Sequence, residues 1–152
     1  STLLASSAAS DVYKRQNLDG AFYACRAAAP YLKKSGKNGR IINLSSQAAL
    51  NGTAHGVHYG ASKAALLGLT YCLAKELGPD GITVNAILPG RIDTEMLAYA
   101  TPERRAQWLQ STPLGRFGDT ADIAELAVFL ASDKGGYITG AKINVNGGLS
   151  TG

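Results

Sequence analysis

The sequence contains few of the residues that build metal centres and disulfide frameworks. It has two cysteines, one methionine and one tryptophan, and neither cysteine has metal-ligand partners nearby. Cys25 and Cys72 each stand within an apolar helical pattern, which is typical of the buried thiols of a cytoplasmic protein. We therefore expect no metal site and no disulfide framework.

Long apolar runs and strong charge are also missing. The longest apolar stretch, Ile123 to Ala131, is interrupted by Glu125 and falls well short of the roughly 20 residues that span a bilayer, so we expect no transmembrane segment. The net charge is +4, and the basic residues are scattered, which argues against nucleic-acid binding. The remaining composition, 45% hydrophobic residues and 18 glycines, is typical of a globular domain.

The first sixteen residues are interpreted as a non-native tail. Residues 6–16 can be back-translated, codon for codon, into a transposase-type adapter used in preparing sequencing libraries. The segment lacks an initiator methionine, a basic n-region and an apolar h-region of adequate length, so it does not fit a signal peptide. We expect residues 1–16 to be adapter-derived and disordered, and the native chain to begin at Asn17 within a longer gene.

Helical periodicity recurs from residue 17 onward. Apolar residues return every three or four positions from Asn17 to about Lys34, and the segment from Tyr59 to Leu77 is apolar over much of its circumference. Both patterns predict helices, the second covered on two sides. Asp119-Thr120 is an N-cap signal for a third helix that ends near Ser132.

One short run rich in apolar and β-branched residues follows each of these helices, and the three runs predict strands that are covered on both faces. They are Arg40 to Ser46, Ile82 to Leu88 and Lys142 to Val145. Helices that alternate with such strands imply parallel pairing through right-handed crossovers, hence an α/β fold with a three-stranded sheet. The stretch 91–118 is polar and irregular, and is interpreted as a loop that either covers a substrate or simply connects.

A tyrosine and a lysine four residues apart occur twice, as Tyr59/Lys63 and Tyr71/Lys75. On a helix, this spacing puts both side chains on one face. Ser46 precedes Tyr59 by thirteen residues, at the carboxyl end of a predicted strand, where open α/β sheets bind ligands. Thirteen residues before Tyr71 stands His58, in a predicted loop. The first pair is therefore the candidate for chemistry, and Tyr71 is expected to pack in mid-helix.

Six short motifs, in their order and spacing, resemble the short-chain dehydrogenase/reductase family: NLDGAF from Asn17, INLSS from Ile42, YGASK from Tyr59, VNAILPG from Val84, IDT from Ile92 and YITG from Tyr137. The resemblance covers residues 17–152, and within the family the sequence is most similar to the 3-oxoacyl-acyl-carrier-protein reductases. It implies the catalytic, C-terminal half of a Rossmann-type doubly wound parallel sheet. It also implies an oxidoreductase that uses NAD or NADP, with NADP favoured.

The resemblance extends to partners. It implies a small carbonyl or alcohol substrate. For the full-length parent it implies a homotetramer or homodimer, in which helices 17–34 and 59–77 pack against symmetry mates.

Site roles follow from the same resemblance. Tyr59 would be the acid/base, Lys63 its electrostatic partner and a ligand of the nicotinamide ribose, Ser46 the group that orients the substrate oxygen, and Asn17 the holder of a relay water. Further cofactor contacts would come from Pro89, Gly90, Ile92 and Thr94. The chemistry is intelligible, because a carbonyl that accepts a hydride needs a proton on its oxygen, and a neighbouring ammonium helps a phenol to supply it.

Each of these residues also has a structural alternative. Ser46 would cap the strand end, Asn17 would begin a helix, and Pro89-Gly90 would form a turn. His55 and His58 are expected to be surface loop residues.

No Gly-rich phosphate-binding turn such as G-x-G-x-x-G occurs from residue 17 onward. That turn and the acidic or basic residue of the following strand bind the pyrophosphate and choose between NAD and NADP. Two hypotheses stay open. Either the parent is an NAD(P)-dependent oxidoreductase acting on a carbonyl or secondary alcohol, such as a 3-oxoacyl thioester, or this chain is an inactive half-domain that exposes the edge of its 40–46 strand.

Overall fold

The structure, a computed structural model, describes residues 11–36, 38–53 and 56–151. The strands are β1 (Arg40–Leu44), β2 (Thr83–Pro89) and β3 (Lys142–Val145). The helices are α1 (Gly20–Lys34), α2 (Ala48–Asn51), α3 (Val57–Leu77), α4 (Glu95–Ala98), α5 (Pro102–Gln110) and α6 (Thr120–Ala131). A π-helical turn, Lys14–Asp19, leads into α1, and 3-10 turns lie at Gly78–Asp80 and Asp133–Gly135.

Strand β2 is the centre of a parallel sheet with the order β1-β2-β3. Its pairing with β1 runs from Arg40 opposite Thr83 to Leu44 opposite Ile87. Residues 82–88 are all buried, because α3 and α6 both pack on this strand. The predicted α/β class and the three predicted strands are confirmed, with ends that shift by no more than two residues.

Helix α3 packs on the sheet along most of its length. Near its C-terminus, Ala74 and Leu77 join Ile82 and Val84 in one core cluster, and Leu32 of α1 packs against that cluster. Closer to its middle, Leu67 contacts Ala86 and Leu88 in a second cluster. Full burial of such a side chain stabilises the fold by about 1.5–3 kcal/mol.

Buried hydrogen bonds also join α3 to β1. The Asn43 Nδ2 donates to the Thr70 Oγ1 at 2.9 Å, and the Ser45 Oγ donates to the Lys63 carbonyl at 2.7 Å. Asn43, Ser45 and Thr70 are all buried, so each of these polar groups needs its partner. The two bonds fix how far α3 can slide along the strand.

One edge of β1 is open in the described part of the chain. There β1 pairs with β2 alone, and the side chain of Leu44, its last residue, is 52% exposed. This agrees with the expectation that the 40–46 strand exposes an edge.

The N-terminal segment differs from its prediction. Residues 11–16 are helical and continue into the π-helical turn and α1, whereas disorder was expected for them. A helix already follows this segment, and extending a helix costs far less than nucleating one. Residues 1–10 lie outside the described residues, and the foreign origin of the tail stays a prediction.

Three further expectations need correction. The stretch 91–118 contains the helices α4 and α5, and α5 begins with Thr101, whose side chain accepts the N–H of Arg104 at 3.3 Å. The apolar stripe of α5 is short, so the sequence showed no clear helical periodicity there. Cys72 is exposed, although Cys25 is buried as expected. His58 lies in the first turn of α3 and not in a loop, while His55 lies outside the described residues.

We expect Leu77→Ala to lower the free energy of unfolding by about 2–5 kcal/mol, because it opens a cavity between α3 and β2. Leu77 is 2% exposed. Urea unfolding followed by circular dichroism measures the loss. The matched control is Val128→Ala on the exposed face of α6, where we expect a change within about 0.5 kcal/mol. Equal losses in the two variants would contradict this location of the core.

Helix α6 begins with a capping box. The Asp119 side chain accepts the N–H of Ala121 at 2.9 Å, and the Asp122 side chain accepts the N–H of Asp119 at 2.7 Å. Arg116 donates two hydrogen bonds to the Asp122 carboxylate, at 2.8 and 3.1 Å. The bonds from Arg116 and then from the Asp119 backbone lower the pKa of Asp122 from 3.8 to about 2.

The depressed pKa of Asp122 predicts an acid-dependent contribution to stability. Because this pKa is lower in the folded than in the unfolded chain, ionised Asp122 stabilises the fold above about pH 3.8, and the contribution is lost as the pH falls towards about 2. Thermal unfolding of wild type and Asp122→Asn should therefore give Tm values that differ at neutral pH and converge across that window. In the Arg116→Met background, Asp122→Asn should give a smaller Tm difference, and that difference should vanish at a higher pH, because the folded-state pKa of Asp122 then lies closer to 3.8. A Tm difference independent of pH would contradict the assignment.

Candidate active site

Ser46 lies at the carboxyl end of β1, beside the end of β2. The next backbone N–H, that of Gln47, donates to the Pro89 carbonyl at 3.0 Å and holds the two strand ends together. The Ser46 Oγ accepts the N–H of Ala48, the first residue of α2, at 3.1 Å. A serine hydroxyl that accepts a bond still has its own proton to donate, so the capping role and the chemical role of Ser46 are compatible.

Lys63 reaches the carboxyl end of the sheet from α3. Its Nζ donates to the Leu44 carbonyl at 2.9 Å, two residues before Ser46. The side chain is half-buried, and this burial lowers the pKa of Lys63 from its ordinary value of 10.5. The carboxyl end of the sheet therefore holds a lysine ammonium group that releases its proton more readily than a lysine ammonium group in water.

Tyr59 lies one helical turn before Lys63 and is half-buried. The Lys63 Nζ is 5.9 Å from the centre of the Tyr59 ring, within cation–π range. The ring of Tyr13 meets Tyr59 edge-on, with the ring centres 5.9 Å apart, and also contacts His58 at 4.7 Å. The helical segment 11–16 thus contributes one wall around Tyr59.

The second tyrosine–lysine pair lies elsewhere. Tyr71 stands three turns further along α3, about 18 Å from Tyr59 at 1.5 Å per residue, and towards the amino end of the sheet. Its side chain is 39% exposed, and Lys75 is exposed as well. The structure therefore brings Tyr59/Lys63 to the edge that holds Ser46, and Tyr71 is a surface residue where packing was expected.

Asn17 lies in the π-helical turn before α1, and its Nδ2 donates to the Ser62 Oγ at 3.0 Å. Ser62 is the residue before Lys63, and its Oγ donates to the Tyr59 carbonyl at 2.8 Å. Asn17 is thus connected to the first turn of α3 through one intervening hydroxyl.

The predicted nicotinamide-lining residues divide into two groups. Pro89 and Gly90 lie at the end of β2, where the Gly90 N–H donates to the Val145 carbonyl at 2.9 Å. A Cβ at Gly90 would stand 2.6 Å from the Asn146 Cα, so only glycine fits this position without a shift of the backbone. This pair shares the sheet edge with Ser46.

The second group leaves the sheet. Ile92 forms an isolated parallel bridge with Gly118, which closes the base of the 91–118 stretch. Thr94 lies at the N-terminus of α4, exposed, with its Oγ1 3.4 Å from the Ile92 carbonyl.

Sequence reasoning missed Arg91, the residue directly after Gly90. Its Nη1 donates to the Trp108 carbonyl at 2.9 Å and to the Ser111 Oγ at 2.7 Å. Its guanidinium lies 5.5 Å from the centre of the Trp108 ring, as does that of Arg104. Arg91 therefore anchors the end of α5 beside the end of β2. The tryptophan next to basic residues was the available signal.

Two features are absent among the described residues. No group of three or more His, Cys, Asp or Glu side chains there is arranged to hold a metal ion. No helix among them has the length and apolar character needed to cross a membrane.

Comparisons with known proteins extend this picture. The family described as "Enoyl-(Acyl carrier protein) reductase" matches residues 4–150. The L-rhamnose-1-dehydrogenase of Scheffersomyces stipitis is 49% identical over 135 residues, which are 88% of this chain and 52% of that protein. The 3-oxoacyl-[acyl-carrier-protein] reductase FabG of Staphylococcus aureus is 45% identical over 133 residues, 88% of this chain and 54% of that protein.

A solved structure gives the same result at the level of the fold. It is described as a putative 2-deoxy-d-gluconate 3-dehydrogenase from Agrobacterium tumefaciens with bound NADP, and it superposes with a TM-score of 0.83 at 38% identity. The match covers 88% of this chain and 55% of that one, so the chain spans about half the length of the relatives it matches. The fold, the order of the motifs and these similarities agree: the chain belongs to the short-chain dehydrogenase/reductase family.

Proposed function

We propose that this chain is the catalytic half of an NAD(P)-dependent oxidoreductase that moves a hydride between the nicotinamide and a carbonyl or secondary alcohol. The observation that carries the proposal is the Lys63 Nζ, which donates to the Leu44 carbonyl at 2.9 Å and lies 5.9 Å from the centre of the Tyr59 ring. An ammonium thus lies at the strand end that is followed by Ser46, with a tyrosine ring beside it, and this supports the proposal. Family membership supports the same class of reaction.

Each of the three side chains would have one task. The Ser46 hydroxyl would donate to the substrate oxygen and orient it. In reduction, the carbonyl carbon takes the hydride and its two electrons, and the oxygen takes the Tyr59 proton, which leaves an alcohol and a phenolate. Lys63 would stabilise that phenolate through its positive charge. Oxidation of an alcohol would use the same groups in reverse.

The residues at this edge fit the nicotinamide half of the cofactor, which supplies or accepts the hydride when bound. The Lys63 ammonium is suited to ribose hydroxyls, and the chain from Pro89 to Thr94 offers backbone groups to a carboxamide. NADP is favoured, and the NADP-bound structural relative supports that choice. A phosphate-binding turn is not found from residue 17 onward, so the pyrophosphate contacts would come from another part of the parent protein.

The proposed substrate class is a carbonyl compound or secondary alcohol, with a 3-oxoacyl thioester as the more specific candidate. The S. aureus relative is named for that activity, whereas the S. stipitis relative is named for the oxidation of a sugar. Both names describe the interconversion of a carbonyl group and a hydroxyl-bearing carbon. In either direction, Tyr59 would supply or take up the proton on the oxygen. Residues 91–118, anchored through Arg91, would cover the substrate.

A homodimer or homotetramer is proposed for the full-length parent. Phe22, Tyr23 and Tyr31 of α1 are exposed, as is Tyr71 of α3. Burying aromatic side chains from these two helices against a second copy would remove apolar surface from water.

The alternative is that the chain alone is an inactive half-domain. The exposed Leu44 at the open edge of β1 favours it, because an unpaired strand edge invites aggregation. Titration of the purified 152-residue chain with NADPH, followed by the fluorescence of the reduced nicotinamide, separates the two cases. We expect no saturation at micromolar concentrations, since no Gly-rich phosphate-binding turn occurs from residue 17 onward. Tight binding would count against the half-domain interpretation.

We expect Tyr59→Phe to reduce turnover of a carbonyl substrate by about 10²–10⁴-fold, because the proton donor is lost. NADPH consumption measured at 340 nm in the full-length gene product provides the assay. Tyr71→Phe is the matched control, since it alters the other tyrosine–lysine pair, and its turnover should stay at the wild-type level. Full activity of Tyr59→Phe would disprove the proposed acid/base.

A further inference from the structure

Ser62 belongs to the YGASK motif but has no role in the chemistry above. It is 6% exposed and lies between the tyrosine and the lysine of the candidate site. Its Oγ makes two hydrogen bonds: it accepts from the Asn17 Nδ2 at 3.0 Å and donates to the Tyr59 carbonyl at 2.8 Å. One hydroxyl therefore joins the π-helical turn before α1 to the first turn of α3.

The single proton of Ser62 determines the direction of this link. Because that proton is used on the Tyr59 carbonyl, the Oγ can only accept a bond from Asn17. Asn17 must then present its NH₂ group to Ser62 and turn its Oδ1 to the other side. The hydroxyl thus selects one of the two orientations of the Asn17 amide, which are otherwise similar in shape.

The Asn17–Ser62 bond starts from an irregular part of the backbone. Residues Lys14–Asp19 form a π-helical turn, in which the Gly20 N–H donates to the Arg15 carbonyl five residues earlier. The Asn17–Ser62 bond crosses from this turn to α3 and connects the two helical segments next to Tyr59.

We propose that Ser62 is a positioning residue, which sets the orientation of the Asn17 amide and its place relative to Tyr59 through its two hydrogen bonds. The inference rests on the proposed function, in which Tyr59 transfers a proton and Asn17 takes part in the relay. Ser62 itself touches no reacting atom. Its loss should therefore reduce the rate of the chemical step and leave substrate binding nearly unchanged.

The same helix offers a matched control. Thr70, two turns further along α3, is fully buried. Its Oγ1 accepts from the Asn43 Nδ2 at 2.9 Å and donates to the Leu66 carbonyl at 2.8 Å. The bonding pattern is that of Ser62, but neither partner belongs to the candidate site. The bonds of Ser45 and Lys63 still hold α3 on β1 when Thr70 is changed. Thr70→Val removes this hydroxyl at nearly constant volume, as Ser62→Ala does at Ser62.

The first arm of the experiment is NMR on the 152-residue chain and requires no activity. Ser62→Ala should shift the side-chain NH₂ signals of Asn17 and the ring signals of Tyr59, the latter identified by their loss in Tyr59→Phe. Ser62→Thr, which retains the hydroxyl, should restore both sets, and Thr70→Val should leave both unmoved. Unchanged Asn17 signals in Ser62→Ala would overturn the inference.

The second arm is steady-state kinetics of Ser62→Ala, Asn17→Ala and the double variant in the full-length gene product. We expect Ser62→Ala to lower kcat at least about tenfold with KM nearly unchanged, since small misplacements of reacting groups are costly. In the Asn17→Ala background the same change should have little further effect, because the two residues act as one unit. An equal loss of kcat in both backgrounds, or in Thr70→Val, would overturn the inference.

The two arms separate the inference from the function on which it rests. A wild-type protein without turnover would count against the proposed function, and the NMR arm would then decide the role of Ser62 alone. Turnover together with NMR signals that ignore Ser62 would leave the function standing and overturn the inference.

Discussion

Three hydrogen bonds tie helix α3 to β1 and the residue after it. Asn43 donates to Thr70, Ser45 donates to the Lys63 carbonyl, and the Lys63 ammonium donates to the Leu44 carbonyl. A slide of α3 by one turn, about 5.4 Å, would break all three. Because a buried polar group left without a partner costs about 1–3 kcal/mol, the register of α3 on the sheet is strongly specified.

This register determines where the side chains of the candidate site lie. With the Lys63 carbonyl held by Ser45, the lysine side chain reaches the end of β1, and Tyr59 stands one turn nearer the helix start. Ser46 follows in the chain directly after the residue that holds α3. The strand that ends at the site and the helix that carries the site are thus positioned by the same contacts. Structural roles and proposed chemical roles meet in neighbouring residues. Ser46 accepts the N–H of Ala48 at the start of α2 and still has its own proton to donate.

The elements that could be predicted from sequence are those with a long and consistent pattern. The apolar run of β2 predicted a strand buried on both faces, and the small and apolar residues of α3 predicted a helix covered on two sides. Helix α5 was missed because only Trp108 and Leu109 mark its inner face. Cys72 and Tyr71 were expected to be buried, yet both are exposed. A helix that is apolar all round does not reveal, from its pattern alone, which of its faces another element covers.

Sequence alone therefore determined the fold class and the family, and favoured Tyr59/Lys63 over Tyr71/Lys75 as the candidate pair, because these depend on local periodicity and on fixed spacing along the chain. Only the tertiary structure revealed the bonds from Asn17 to Ser62 and from Lys63 to Leu44, and the anchoring of α5 by Arg91. Those contacts join residues that are 45, 19 and 17 positions apart. Their existence depends on how helices dock on a sheet, and one-dimensional spacing carries no record of that geometry.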